Sequence, residues 1–198
     1  MVAYVFDKIL QAGEAQGFTK TQQATQWYRT AAQRTTVNPQ TLIRSDRARF
    51  RIYPTFGEMY IFNYDPKFKE TLPYYDRFPL VFPFEASRKR GRPQGDGFYG
   101  INLHYLPLRL RARLMDGLYQ YVSETDDQKR IEMNYRMLNQ VSKLRFFKPC
   151  VKHYLFDHVR SKFFFVDPKE WDIALFLPLE RFAKASKSVV WRESISRI

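Results

Sequence analysis

The sequence predicts an α+β fold: a small antiparallel sheet or SH3-like half-barrel over about residues 56–106, packed with helices and preceded by an N-terminal helical arm. Two observations carry this expectation. Between Phe56 and Leu106 the apolar residues alternate at strand spacing and are punctuated by Pro and Gly. On either side of that stretch they recur at the spacing of one helix face. A chain of 198 residues, 44% hydrophobic and 17% aromatic, has enough apolar surface to bury a real core. It divides into a helical arm at residues 1–51 and an α+β domain at 52–198, with a basic loop at 86–96 and a helical C-terminal half.

Val2, Phe6, Ile9 and Leu10 lie at helical spacing before Gly13 and Gly17, and Ala24, Trp27, Tyr28 and Ala31 mark a second helix. Both stripes are narrow on a Gln- and Thr-rich background, which suits helices laid against another surface, that of this chain or of a partner. Asn38-Pro39 reads as a cap followed by proline at the first helical position, opening a short helix to about Ser45.

From Phe56 the period becomes two. Met59 and Ile61 alternate with Tyr60, Phe62 and Tyr64, so both faces of this strand are apolar and both are expected to be covered. Asp65-Pro66 closes it, and Lys67 to Phe78 forms a long connection restricted by Pro73 and followed by Pro79. Leu80 to Phe84 is a second strand, pushed toward an edge or a bulge by Pro83, and Gly97 to His104 a third. Pro107 opens a helix to about Val122, with Leu108, Ala112, Met115, Tyr119 and Val122 on one face. Beyond it the spacing predicts helices over about 126–141, 149–164, 168–182 with a break before Pro178, and 187–197.

The formal charge of +13 is concentrated in Arg44, Arg47, Arg49 and Arg51, in the loop around Arg90, and between Lys143 and Lys162. Such clusters favour a polyanionic partner, most often nucleic acid, although the same charge also serves solubility or docking onto acidic protein surfaces. The single cysteine, Cys150, excludes an intramolecular disulfide framework. Nothing at the N-terminus reads as a signal peptide, and no apolar run reaches the roughly 18 to 20 residues of a membrane span. The chain is expected to be soluble, to be made in a reducing cytoplasm and to have no membrane partner.

One motif points to a ligand. Arg88, Lys89, Arg90, Gly91, Arg92 and Pro93 form an Arg-Gly-Arg-Pro segment that resembles an AT-hook, which lies extended in the minor groove of AT-rich DNA. Glycine lets the backbone sit on the groove floor, the flanking Arg90 and Arg92 enter a narrow groove of enhanced negative potential, and Pro93 steers the chain out. Arg88 and Lys89 add phosphate contacts. The competing reading is a solvated hairpin loop.

Other chemistries find less support. Tyr74-Tyr75 and the Phe-rich runs are the type of side chain that stacks on bases, but their interleaved Pro and Leu favour burial. On a helix His153 and His158 would point about 140° apart, so with Cys150 they would form no metal site, and His158 reads as a hydrogen-bonded core histidine. A restriction-type nuclease requires Glu-x-Lys or Asp-x-Lys on a strand after an acidic residue. No Glu-x-Lys occurs, and Glu58, Asp65, Glu70, Asp76 and Glu85 near the strands are separated by turns and prolines, while there is no Gly-x-x-x-x-Gly-Lys loop for ATP. No catalytic residue, metal or cofactor is assigned.

The segments Gly57–Pro66, Thr71–Leu80 and Gly97–Pro107 resemble virion proteins of large contractile-tailed bacteriophages, most closely the DNA end protector proteins, and Glu170–Leu175 with Glu180–Phe182 continues the likeness. The resemblance implies a non-enzymatic, low-copy virion component at the head–tail junction. Such a component joins the end of the packaged double-stranded DNA, shields it from host exonuclease, and sits in a symmetric assembly among neck or tail proteins. It supplies no site residues, so the assignment of Arg88–Pro93 rests on this chain alone. The alternatives are a structural neck, tail or baseplate adaptor without DNA contact and, less favoured, a DNA-processing nuclease.

Overall fold

A computed structural model describes residues 5–17, 22–87, 95–122 and 126–196. Three helices come first: α1 (Val5–Ala15), α2 (Gln22–Arg34) and α3 (Pro39–Ser45). The last starts as its sequence predicts, with the Asn38 side chain accepting from the amides of Gln40 and Thr41 at 2.9 and 3.4 Å. Then come β1 (Phe50–Arg51), β2 (Met59–Ile61), β3 (Tyr75–Asp76), β4 (Leu80–Ser87), β5 (Gly97–Asn102), α4 (Leu108–Val122) and α5 (Asp127–Lys143). The chain ends with β6 (Val151–Leu155), β7 (Phe163–Val166), α6 (Trp171–Phe176), β8 (Phe182–Ala183) and α7 (Lys187–Ser196).

Six strands form one antiparallel sheet in the order β1-β7-β2-β4-β5-β6, and β3 pairs with β8 in a second, two-stranded sheet. The fold is mixed α+β, and the large sheet is open rather than a closed barrel. It is wider than expected from residues 56–106, because the C-terminal half adds β6 at one edge and inserts β7 between β1 and β2. The helix expected over 149–164 is therefore corrected to two strands and two short 3₁₀ turns. Val151, Tyr154, Leu155 and Val159 suit a helix by spacing alone. The unpaired edge of β5 offers a ladder from Gly97 to Ile101, however, and Val-, Tyr- and Phe-rich segments fit a pleated surface. Pro83 sits at a bulge, as expected: Pro83 pairs with Gly100 and Glu85 with Tyr99, leaving Phe84 as the extra residue.

The period-two pattern of β2 sorts into two cores. Met59 and Ile61 join Leu80, Phe82, Ile101 and Val166 beneath the helices, while Tyr60, Phe62 and Tyr64 meet Val81, Phe98, Tyr154 and Phe163 on the other face. At the centre of the helical layer α6 is buried along its whole length, with Trp171 edge-on to Phe82 at 4.9 Å between ring centroids. Phe6 and Ile9 of α1 and Ala32 of α2 belong to this same cluster. Both N-terminal stripes are thus covered by this chain, and Arg29 of α2 ties Asp172 of α6 (2.8 Å) to Asp116 of α4 (2.9 Å).

Arg111 of α4 is completely buried. Its guanidinium donates to the carbonyls of Leu106 (2.7 Å), Leu175 (2.9 Å) and His104 (3.3 Å) and to the Glu180 carboxylate (2.5 Å). Burial alone would raise the Glu180 pKa, but Arg111 and then His104 outweigh it and hold the carboxyl at about 2, against an ordinary 4.5. A lowered folded-state pKa contributes stability that is present above pH 4.5 and disappears as pH falls toward 2. Arg111→Met, which strands Glu180 in the core, is expected to destabilise the protein by about 3–5 kcal/mol in urea unfolding. Glu180→Gln should flatten the loss of stability between pH 4.5 and 2 seen with the parent chain.

Candidate nucleic-acid interface

The segment Arg88, Lys89, Arg90, Gly91, Arg92 and Pro93 lies outside the described residues, but both of its stems lie inside them. They are the ends of β4 and β5, where Ser87 pairs with Gly97. The Ser87 hydroxyl donates to the Asp96 carboxylate at 3.0 Å, the Asp96 amide donates back to the Ser87 carbonyl at 3.2 Å, and the Phe156 amide donates to the Asp96 carbonyl at 2.9 Å. Gly95 has φ +74°, and a Cβ there would stand 2.1 Å from the Ser87 carbonyl oxygen. Only glycine closes this turn. At Gly97 a Cβ would stand 2.0 Å from the Tyr154 carbonyl, so β6 approaches the stem more closely than a side chain allows. The basic segment therefore leaves and re-enters the sheet at one locked end.

Beside that end an open cleft of about 650 Å³ separates the hairpin from α5. Tyr99 and Glu85 border it from the hairpin, Phe56 from the loop before β2, and Tyr135, Asn139 and Lys143 from α5. Tyr99 and Tyr135 are each 37% exposed, and Tyr99 lies flat on His153 with centroids 4.7 Å apart and planes 18° apart. Lys143, Arg145 and Lys148 are exposed and have no ion-pair partner among the described residues. The cleft thus offers one exposed cation, Lys143, and the partly exposed rings of Tyr99 and Tyr135, with Glu85 as the acid bordering it.

Elsewhere the basic charge has structural work. Arg49 lies between Glu170 (2.8 Å) and Asp46 (3.1 Å), and its hydrogen bonds to Glu170, opposed by desolvation, raise its already high pKa. Arg51 caps the carbonyls of Ala48 and Phe50, whereas Arg44 and Arg47 are exposed. Of the four N-terminal arginines only these last two remain fully open to a polyanion.

The histidines also separate. His153 is exposed on β6, and His158 sits half-buried in a 3₁₀ turn with Nδ1 2.9 Å from the Asp65 carbonyl oxygen. It is hydrogen-bonded as expected, although in a turn instead of a helical core. Among the described residues no three His, Cys, Asp or Glu side chains come together to hold a metal ion. The buried polar centre that sequence reasoning missed is Asp76–His104: Nδ1 lies 2.6 Å from the carboxylate, which also accepts from Asn102 at 3.3 Å. The His104 Nε2 is buried with no hydrogen-bond partner among the described residues, and the pair ties β3 to the turn after β5. No local sequence signal joins residues 76 and 104; only tertiary packing does.

With this geometry in place, comparison with known proteins is informative. The model of one family, phage T4 terminal DNA protecting protein, matches residues 4–196, and the chain belongs to that family. No curated protein and no solved structure is similar enough to count as a match. Gly95→Ala tests the stem: we expect destabilisation of about 1–3 kcal/mol from the forced left-handed backbone and the clash with Ser87. Slower amide exchange at Gly97 and Phe98 in that variant would contradict it.

Proposed function

We propose that this chain binds the end of a linear double-stranded DNA and shields it from exonuclease as a non-enzymatic component of the phage particle. The observation that supports the reading is the locked stem from Ser87 to Gly97, which brackets Arg88–Pro93 in the chain and borders a cleft with partly exposed rings and the exposed Lys143. Arg90 and Arg92 are the residues we assign to the minor groove, with Gly91 on its floor and Pro93 at its exit. Arg88, Lys89, Lys143, Arg145 and Lys148 supply phosphate contacts, which fix position and confer salt dependence without reading sequence. The family to which the chain belongs supports the same substrate by its description.

The resemblance to phage virion proteins further supports a position at the head–tail junction, beside neck or tail proteins. Ile52, Leu144 and Ile195 are large apolar side chains more than half exposed, and we assign them to contacts with such neighbours. No helix among the described residues is long and apolar enough to cross a membrane.

Purified protein should slow exonuclease digestion of a linear duplex and leave a covalently closed one without effect. Arg90→Ala/Arg92→Ala should abolish that protection while leaving the thermal unfolding midpoint unchanged. It should also reduce the slope of log affinity against log salt by about 2, roughly one unit for each lost cation. Unchanged protection in the variant removes the segment from the interface, and magnesium-dependent cleavage by the protein alone replaces a protector with a nuclease.

A further inference from the structure

A second concavity runs along the outer edge of β6, enclosing about 320 Å³, the lower end of the size range of small-molecule sites. Its walls are aromatic: Tyr64, Phe68, Tyr74, Tyr75, Tyr105 and Tyr154. Several of their hydroxyls are already committed. That of Tyr64 accepts from the Leu155 amide at 3.2 Å, that of Tyr154 from Asn102 at 3.0 Å, and that of Tyr74 donates to Glu193 at 3.0 Å. Tyr64, Tyr105 and Tyr154 are buried and form the floor, so the rings open to a ligand are those of Phe68, Tyr74 and Tyr75. The carboxylate of Asp76, which also borders it, has both oxygens occupied by donors.

The rim is cationic. The Lys152 ammonium lies 3.9 Å from the Tyr105 ring centroid, and exposed Lys67 lies 5.3 Å from that of Phe68. The loop carrying Phe68 is held in place from below, since the Lys184 ammonium donates to the carbonyls of Lys69, Glu70 and Leu72 at 2.6, 2.8 and 3.3 Å. A pre-shaped pocket with π walls and a positive rim selects a planar ring that carries negative charge nearby, which is the chemistry of a nucleotide. It is also continuous with the DNA interface: His153 borders this pocket and stacks on Tyr99 of the other cleft, and Leu155 pairs with Gly97 at the stem of the basic segment.

We infer that this pocket receives the terminal nucleotide of a DNA strand, an inference that rests on the end-binding reading above. A pocket of this size takes one nucleotide and no duplex. An internal base would have to break its pairing and both of its stacks to enter, whereas a terminal base breaks one stack and a pair that already frays. The pocket thereby converts general affinity for DNA into preference for an end, and stacking on its rings supplies the compensation.

The test uses full-length protein, a linear duplex carrying 2-aminopurine at its terminal or its fifth position, and the same duplex with an abasic terminal residue that retains the phosphate. Terminal 2-aminopurine should change fluorescence on binding and the internal one should not. The abasic end should bind roughly tenfold more weakly, as should the intact end to Phe68→Ala, a substitution at an exposed ring. Affinity for covalently closed duplex should be the same for parent and variant. If ends are still preferred with the abasic residue and with Phe68→Ala, the pocket is not the end site and the end-binding reading stands. If the parent shows no preference for linear over closed duplex, the end-binding reading itself fails. Free deoxyadenosine monophosphate binding as tightly as the duplex end would overturn the inference in favour of a mononucleotide site.

Discussion

Arg111 has its whole guanidinium out of water, and its donors are claimed by the turn after β5, the end of α6 and the segment leading to β8. A buried cation is tolerated only when such partners surround it, so these segments must converge before the charge is neutralised. Trp191 of α7 joins the same knot, with its indole nitrogen donating to the His104 carbonyl at 2.8 Å and its ring 5.5 Å from the guanidinium carbon. His104, whose carbonyl accepts from both Arg111 and Trp191, also pairs through its ring with Asp76, which ties β3, and with it Tyr75, to this knot.

The sheet has two apolar faces with unequal cover. Helices fill one face, where α6 is buried throughout. On the other a smaller cluster of aromatic rings packs mostly against itself: Phe62 contacts Tyr64, Phe98, Tyr154 and Phe163 at centroid separations of 4.9 to 6.2 Å. Edge-to-face rings hold such a layer with little covering structure. The consequence for function is positional. The β4–β5 ladder runs through both layers and ends at the Ser87–Gly97 pair, where the Ser87–Asp96 hydrogen bonds lock the stem.

Much of the local structure was legible from residue order, since caps, prolines and short-range periodicity act within a few residues. Asn38 caps α3, Pro83 marks a bulge, and the alternation from Met59 to Tyr64 sorts onto two buried faces as its pattern requires. The failures share one cause. Val151–Leu155 and Phe163–Val166 lack a decisive local period, and their pairing partners lie about 50 and 100 residues away. Of the candidate site, the basic motif was legible because its chemistry is contained in six consecutive residues. The Tyr99–His153 stack and the cleft between the hairpin and α5 were not, because they join elements far apart in sequence.

By itself the sequence determined an α+β chain of strongly positive charge, a resemblance to a phage virion family, and one segment with the chemistry to enter a DNA groove. Each of these depends on neighbouring residues or on composition. The tertiary structure alone decided which positive charges are available and which are spent internally: Arg111 and Arg49 are tied to carboxylates, whereas Lys143, Arg145 and Lys148 face solvent. It also decided that tyrosines from residues 64 to 154 share one pocket. The physical reason is that desolvation and ring stacking act through space, and only the pairing of distant strands specifies which groups meet.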